Sequence, residues 1–128
     1  MTGTLHTDAF AALLGITVTA HGNGRADARV TVTEQHLNPH GTTHGSFLFS
    51  LAGVALAAAA NDAEHSGVVS AVHIDYLRPS GTGDELLASA QVAERLPRED
   101  LFEIRIMRAT DGEVVARAGG RATRRRRG

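Results

Sequence analysis

Residues 46 to 61, "SFLFSLAGVALAAAAN", decide the fold. The run from Phe47 to Ala60 is apolar on every side and carries no polar stripe, so a helix built from it has to be surrounded by protein. It is about fourteen residues long, short of the roughly twenty that cross a bilayer, which leaves the interior of a domain. Its alanines let a sheet come close to the helix axis. The stretch therefore asks for a sheet that wraps around one central helix.

The chain on either side supplies that sheet. Downstream, "VVSAVHIDYL" (68–77), "ELLASAQVAERL" (85–96), "LFEIRIMRAT" (101–110) and "EVVARAGGRATR" (113–124) read as strands. Their separators, "RPSGTGD", "PRED" and "TDG", are short and turn-like, which predicts an antiparallel meander. Upstream, "ITVTAH" (16–21) and "RADARVTVT" (25–33) alternate around the turn "GNG" and read as a hairpin with one buried face. Before it, "LHTDAFAALL" (5–14) puts Leu5, Ala9, Ala12 and Leu13 on one helical face, with Gly15 as its C-cap. The resulting order is helix, two strands, long buried helix, four strands. That is an α+β protein with a curved antiparallel sheet wrapped around a long central helix.

Composition narrows the chemistry. With 128 residues, 42% hydrophobic and 21% charged, the chain fits one soluble domain, and a cytoplasmic location is expected. It has no cysteine, which removes disulfides, thiolate metal sites and cysteine nucleophiles. All thirteen basic residues are arginine, which removes lysine Schiff bases. Arg124 to Arg127 supply four of those charges, and without them the net charge of −1 falls to about −5. A binder of nucleic acid carries a basic domain face, and this body is acidic, so the domain is expected to span 1–123 and residues 124–128 to form a disordered arginine-rich tail with no nucleic-acid role.

Immediately before the central helix lies "NPHGTTHG" (38–45). The first amides of a helix have no intrahelical acceptor and point at whatever occupies its N-terminus. Glycines at 41 and 45 allow a ligand to approach the backbone closely. The loop either caps a helix and nothing more, or holds a polarised oxygen. His36, His40 and His44 recur every four residues, but Pro39 and Gly41 break the helix that would align them, and no metal site is expected. His73 faces away from Val72 and Ile74 and either lines a cleft or sits on plain surface.

Asn38, Gly41, His44 and Gly45, then Ala52, then "YLRPSGTGDELLASAQV" (76–92), together with this order of elements, resemble the hotdog fold and in particular the PaaI-like acyl-CoA thioesterases of the phenylacetate-degradation type. The resemblance covers roughly residues 30 to 123. It implies hydrolysis of a small or aromatic acyl-CoA, with coenzyme A entering as part of the substrate and no other cofactor. It implies that the Gly45 N–H donates to the thioester oxygen, that His44 holds the loop and that Asn38 orients water or the thioester. For the coenzyme A portion it points to Ser70 and Ala71, to Arg78, and to Arg95 and Arg98, whose guanidinium groups can grip phosphate bidentately. It also implies a homodimer, and by extension a homotetramer, because a second copy would cover the flank of the helix that one sheet leaves bare.

One position departs from the pattern. The resemblance implies a carboxylate, general base or nucleophile, eight residues after the glycine that follows the motif's histidine, and counting eight from Gly45 lands on Gly53. A positioned acid–base group contributes ~100- to 10,000-fold. Its absence predicts weak hydrolysis, or a protein that binds acyl thioesters without cleaving them. His44 is the titratable side chain certain to lie close to the Gly45 amide, and its imidazole could activate water in place of the missing carboxylate, while Asp62, Glu64 and His65 lie far along the helix.

Overall fold

The computed structural model describes residues 8–125. The central helix α2 runs Gly45–Ala60, and around it curls a six-stranded antiparallel sheet: β1 (Thr17–Gly22), β2 (Arg25–Thr31), β3 (Gly67–Tyr76), β4 (Glu85–Arg95), β5 (Glu99–Arg108) and β6 (Val114–Arg124). The short helix α1 spans Ala9–Leu14. Asp8 caps its start by accepting from the Ala11 N–H, and Gly15 ends it in the left-handed conformation. Leu5, assigned above to the same helical face, lies outside the described residues.

The strands follow the sequence alternation. Ala26, Ala28 and Val30 of β2, Leu86, Ala88 and Ala90 of β4, and Phe102, Ile104 and Ile106 of β5 all turn inward onto Leu51, Ala52, Ala55 and Leu56 of α2. Small residues at the helix surface and on the facing strands let helix and sheet close on each other. The first hairpin differs from expectation in one respect. Its buried face belongs to β2 alone, because β1 is an edge strand exposed along almost its whole length.

The strand order β1-β2-β4-β5-β6-β3 corrects the expected four-strand meander. Only β4, β5 and β6 form one. β3 pairs with β6 at the far edge, and β4 pairs with β2, in seven registered pairs from Arg25↔Gln91 to Thr31↔Glu85. The segment 77–84 is long enough for this. Eight residues reach ~26 Å when extended, and crossing three strand spacings needs about 15 Å. A turn-like loop therefore did not require neighbouring strands.

The C-terminal boundary also shifts. Arg124 is the last residue of β6, and its guanidinium holds the buried carboxylate of Asp100 while donating to the carbonyls of Leu96 and Pro97 at 2.5 and 2.6 Å. Arg95 reaches the other oxygen of Asp100 at 2.8 Å. The ordered domain thus includes Arg124, and the tail residues Arg126, Arg127 and Gly128 lie outside the described residues.

α2 is surrounded on most of its circumference only. Phe49 stays 43% exposed, and Ser46, Ser50, Gly53 and Ala57 share its side of the helix with partial or full exposure.

Candidate active site

Two ties build the N-terminus of α2. His44 is the N-cap, and its Nδ1 accepts from the Ser46 N–H at 3.0 Å. Its own N–H donates to the His36 carbonyl at 2.8 Å, and its carbonyl accepts from Phe47 and Leu48. His36 is buried beneath, stacked on the Phe47 ring at 3.8 Å. Its Nδ1 takes the Thr33 N–H, and its Nε2 lies 3.0 Å from the Leu14 carbonyl. These contacts consume the imidazole of His36 and explain why the three regularly spaced histidines do not converge. Among the described residues no group of three His, Cys, Asp or Glu could hold a metal ion.

The Gly45 N–H is left without an acceptor among the described residues. Gly45 faces a cavity of about 390 Å³ whose polar lining comes from Asn38, Thr42, Thr43, Tyr76, Arg78 and Ser80, and whose apolar lining comes from Leu48, Leu77 and Pro79. Asn38 is a wall of this cavity. Its Oδ1 accepts from the backbone of His40 and Thr42 at 2.9 and 3.1 Å, and its Nδ2 donates to the Thr42 hydroxyl, so the carboxamide shapes the loop from within. Buried Thr43 and Ser80 close the cavity floor, with the Ser80 hydroxyl donating to Thr43 Oγ1 at 2.7 Å. Arg78 lies at the rim, donating to the Val114 carbonyl at 2.9 Å and lying 3.6 Å from Glu113.

The other residues singled out in the sequence fall elsewhere. The His44 ring lines a separate groove of about 300 Å³ on the opposite flank of the helix start, with Phe10, Leu14 and His36. That separation suits a loop-holding role, whereas a base acting on water beside the Gly45 amide would have to face the first cavity. Gly53 lies two turns along α2, half-buried on the uncovered side, and a Cβ built there meets nothing within 4 Å. Ser70 and Ala71 stand at the bulge of edge strand β3, where the Ser70 hydroxyl is 3.2 Å from the Arg121 carbonyl. Arg95 is engaged with Asp100, while Arg98 is exposed beside it.

At the far end of α2, Asp62 is nearly buried and accepts from the amides of Glu64, His65 and Gly24 and lies 3.0 Å from the His65 ring. Burial pushes its pKa up, but these hydrogen bonds outweigh it and lower the pKa to about 2. The carboxylate is a structural anchor for the β1–β2 turn.

The polar lining residues not singled out in the sequence are Thr42, Thr43, Tyr76 and Ser80. Tyr76 had a signal: alternation through Val72 and Ile74 puts residue 76 on the helix side of β3. Thr43 and Ser80 had none, since their pairing joins segments 37 residues apart.

A sheet curled around one helix, with the first amide of that helix open to a cavity, defines the hotdog class of α+β proteins. Comparison with known proteins agrees. The thioesterase superfamily matches residues 40–115. The acyl-coenzyme A thioesterase PaaI of Escherichia coli is 43% identical over 100 residues, 78% of this chain and 71% of that protein. Its solved structure superposes with a TM-score of 0.88, at 39% identity, covering 94% of this chain and 86% of that one. A mutant of the phenylacetic acid degradation protein PaaI from Thermus thermophilus superposes with a TM-score of 0.87 at 32% identity, over 92% of this chain and all of that one. A putative esterase of Deinococcus radiodurans is 36% identical over 118 residues, 91% of this chain and 79% of its own length. The chain belongs to the thioesterase superfamily. Among the described residues no helix is long and apolar enough to cross a membrane.

Proposed function

We propose that this protein hydrolyses acyl-CoA thioesters at the Gly45 cavity. The observation that carries the reading is the Gly45 N–H, unpaired at the start of a 16-residue helix and open to a lined cavity. A thioester carbonyl seated there gains a backbone donor and the positive end of the helix dipole where negative charge develops. In the reaction the oxygen of water bonds to the carbonyl carbon, the C–S bond breaks, and the thiol leaves with a proton as the acid is released. Loss of one such donor typically costs ~100- to 1,000-fold in rate.

The acyl group is small or aromatic, taken by Leu48, Leu77, Pro79 and the Tyr76 ring. Arg78 at the rim and the exposed Arg98 serve the phosphates of coenzyme A, and Ser70 and Ala71 flank the chain of the pantetheine. A second copy joins the β3 edge and covers Phe49 and Gly53, giving a homodimer, which then pairs into a homotetramer, in the cytoplasm.

A second reading rests on a specific observation. Among the described residues the cavity lining contains no carboxylate and no imidazole, and the position eight residues beyond Gly45 has no side chain. Such a site binds an acyl thioester and cleaves it slowly or not at all. The two readings separate in one experiment: purified protein with a panel of acyl-CoAs, following thiol release alongside equilibrium binding. Turnover above the uncatalysed rate supports hydrolysis. Micromolar binding with no turnover supports the binding protein, and neither binding nor turnover refutes both.

A further inference from the structure

We infer that Tyr76 is a positioning residue that aims the Gly45 amide. Its hydroxyl donates to the Gly45 carbonyl at 2.9 Å. That carbonyl also accepts within the helix, from the residue four positions on, and its second lone pair takes the phenol. The neighbouring N–H of the same peptide, that of Ser46, donates to His44 Nδ1 at 3.0 Å. Both polar ends of the 45–46 peptide are therefore tied, one to strand β3 and one to the N-cap. On the other side of Gly45, the His44 carbonyl is held by two amides of the first turn. Among the backbone groups of residues 44 to 46, the Gly45 N–H is the one without a partner among the described residues.

The ring has a second effect. Gly45 has no positive φ, so its backbone does not require glycine. Its space is tight: a Cβ at position 45 would lie 3.0 Å from Tyr76 Cζ and 3.1 Å from its hydroxyl oxygen. Tyr76 borders the volume that a side chain at 45 would need, and a Cβ there requires the ring to give way slightly. The backbone that carries the ring is anchored on β6. Tyr76 pairs with Ala116 on β6, and the next two amides, of Leu77 and Arg78, both donate to the Val115 carbonyl at 2.9 and 3.2 Å. The phenol thus ties the 45–46 peptide to the end of β3.

The inference rests on the proposed role of the Gly45 amide, and its test has one arm that does not. In the first arm, Tyr76→Phe keeps the ring and deletes the hydroxyl. The expected result is a fall in kcat of about 2- to 10-fold, the range of one neutral hydrogen bond, with KM changed less than twofold and the melting temperature kept. An unchanged kcat overturns the inference. In the second arm, ¹H–¹⁵N spectra compare the native protein with Tyr76→Phe. The Gly45 and Ser46 amides are expected to shift and exchange faster with solvent, while amides on β1 and at the C-terminal end of α2 stay in place. Gly45 and Ser46 resonances that do not move overturn the inference even if the native protein cleaves no acyl-CoA, and that absence of cleavage would count against the hydrolytic reading alone. As a cross-check, Gly45→Ala is expected to perturb the native protein more than it perturbs Tyr76→Leu, because the shorter side chain vacates the contested volume. Equal effects would contradict the steric half of the argument.

Discussion

Gly53→Asp is expected to raise acyl-CoA turnover by about 100- to 10,000-fold, the usual contribution of a positioned acid–base group. The structure permits the change, since a Cβ at 53 meets nothing within 4 Å and the site is half-buried, so the new carboxylate keeps part of its hydration. Position 53 lies ~12 Å from Gly45 along the helix axis at 1.5 Å per residue. An aspartate side chain spans only a small part of that distance and position 53 does not line the Gly45 cavity, so the new carboxylate would serve the Gly45 amide of a second copy packed on the uncovered flank of α2. At ~1.36 kcal/mol per decade the gain is about 2.7 to 5.4 kcal/mol of barrier. Folding stability should hardly move, because aspartate is within ~0.5 kcal/mol of glycine in a helix interior. Thiol release measured with a disulfide chromogen is well suited, as the chain contributes no cysteine background. Gly53→Asn is the control, with similar shape and no base. Equal turnover by the Asp and Asn variants, both folded and both binding substrate, would refute the placement of position 53 beside the reacting carbon.

Asp100 is buried between Arg95 and Arg124, and Asp100→Ala, which leaves two guanidinium groups without their partner, should cost about 3 to 5 kcal/mol in urea unfolding. Deleting residues 124–128 should destabilise measurably through loss of Arg124, whereas deleting 126–128 should leave the unfolding midpoint in place. The Asp62 carboxylate has its pKa lowered to about 2 from 3.8, so its stabilisation is complete above about pH 5 and is lost as pH falls through 3.8 toward 2. The loss is on the order of 2 kcal/mol. In acid titration by circular dichroism, Asp62→Asn should flatten that part of the stability profile, and an unchanged profile would contradict the assignment. If a second copy covers the exposed flank of α2, Phe49→Asp should convert the assembly to monomers in light-scattering chromatography, since an unpaired charge would be buried against the partner.

The central helix was legible because Phe47 to Ala60 offers no polar face, and the strands were legible because Ala26, Ala28, Val30 and their counterparts on β4 and β5 alternate at period two. Strand order was not. That β3 lies beside β6 depends on a crossing by residues 77–84, and nothing local to those turn formers distinguishes it from a hairpin. At the site, the loop from Asn38 to Gly45 could be read from its glycines and its place before an apolar run. What Asn38 does could not, because its partners His40 and Thr42 become clear only once the loop is closed. Arg95 shows the same limit in reverse: a guanidinium beside a turn reads as a ligand for phosphate, yet Asp100, five residues on, comes into contact with it only through the β4–β5 register and the bulge at Val92/Glu94. Local patterning carries the elements, and long-range pairing assigns the side chains.

Hydrolysis at this cavity depends on the Gly45 N–H binding the thioester oxygen. Its most direct test is the ¹⁵N-resolved amide proton of Gly45 during titration with a non-hydrolysable acyl-CoA in which a methylene replaces the sulfur and the carbonyl is kept. The expected result is a saturable downfield shift of Gly45, larger than that of any amide on β1 or at the C-terminal end of α2. Saturable binding that leaves Gly45 unmoved would contradict it.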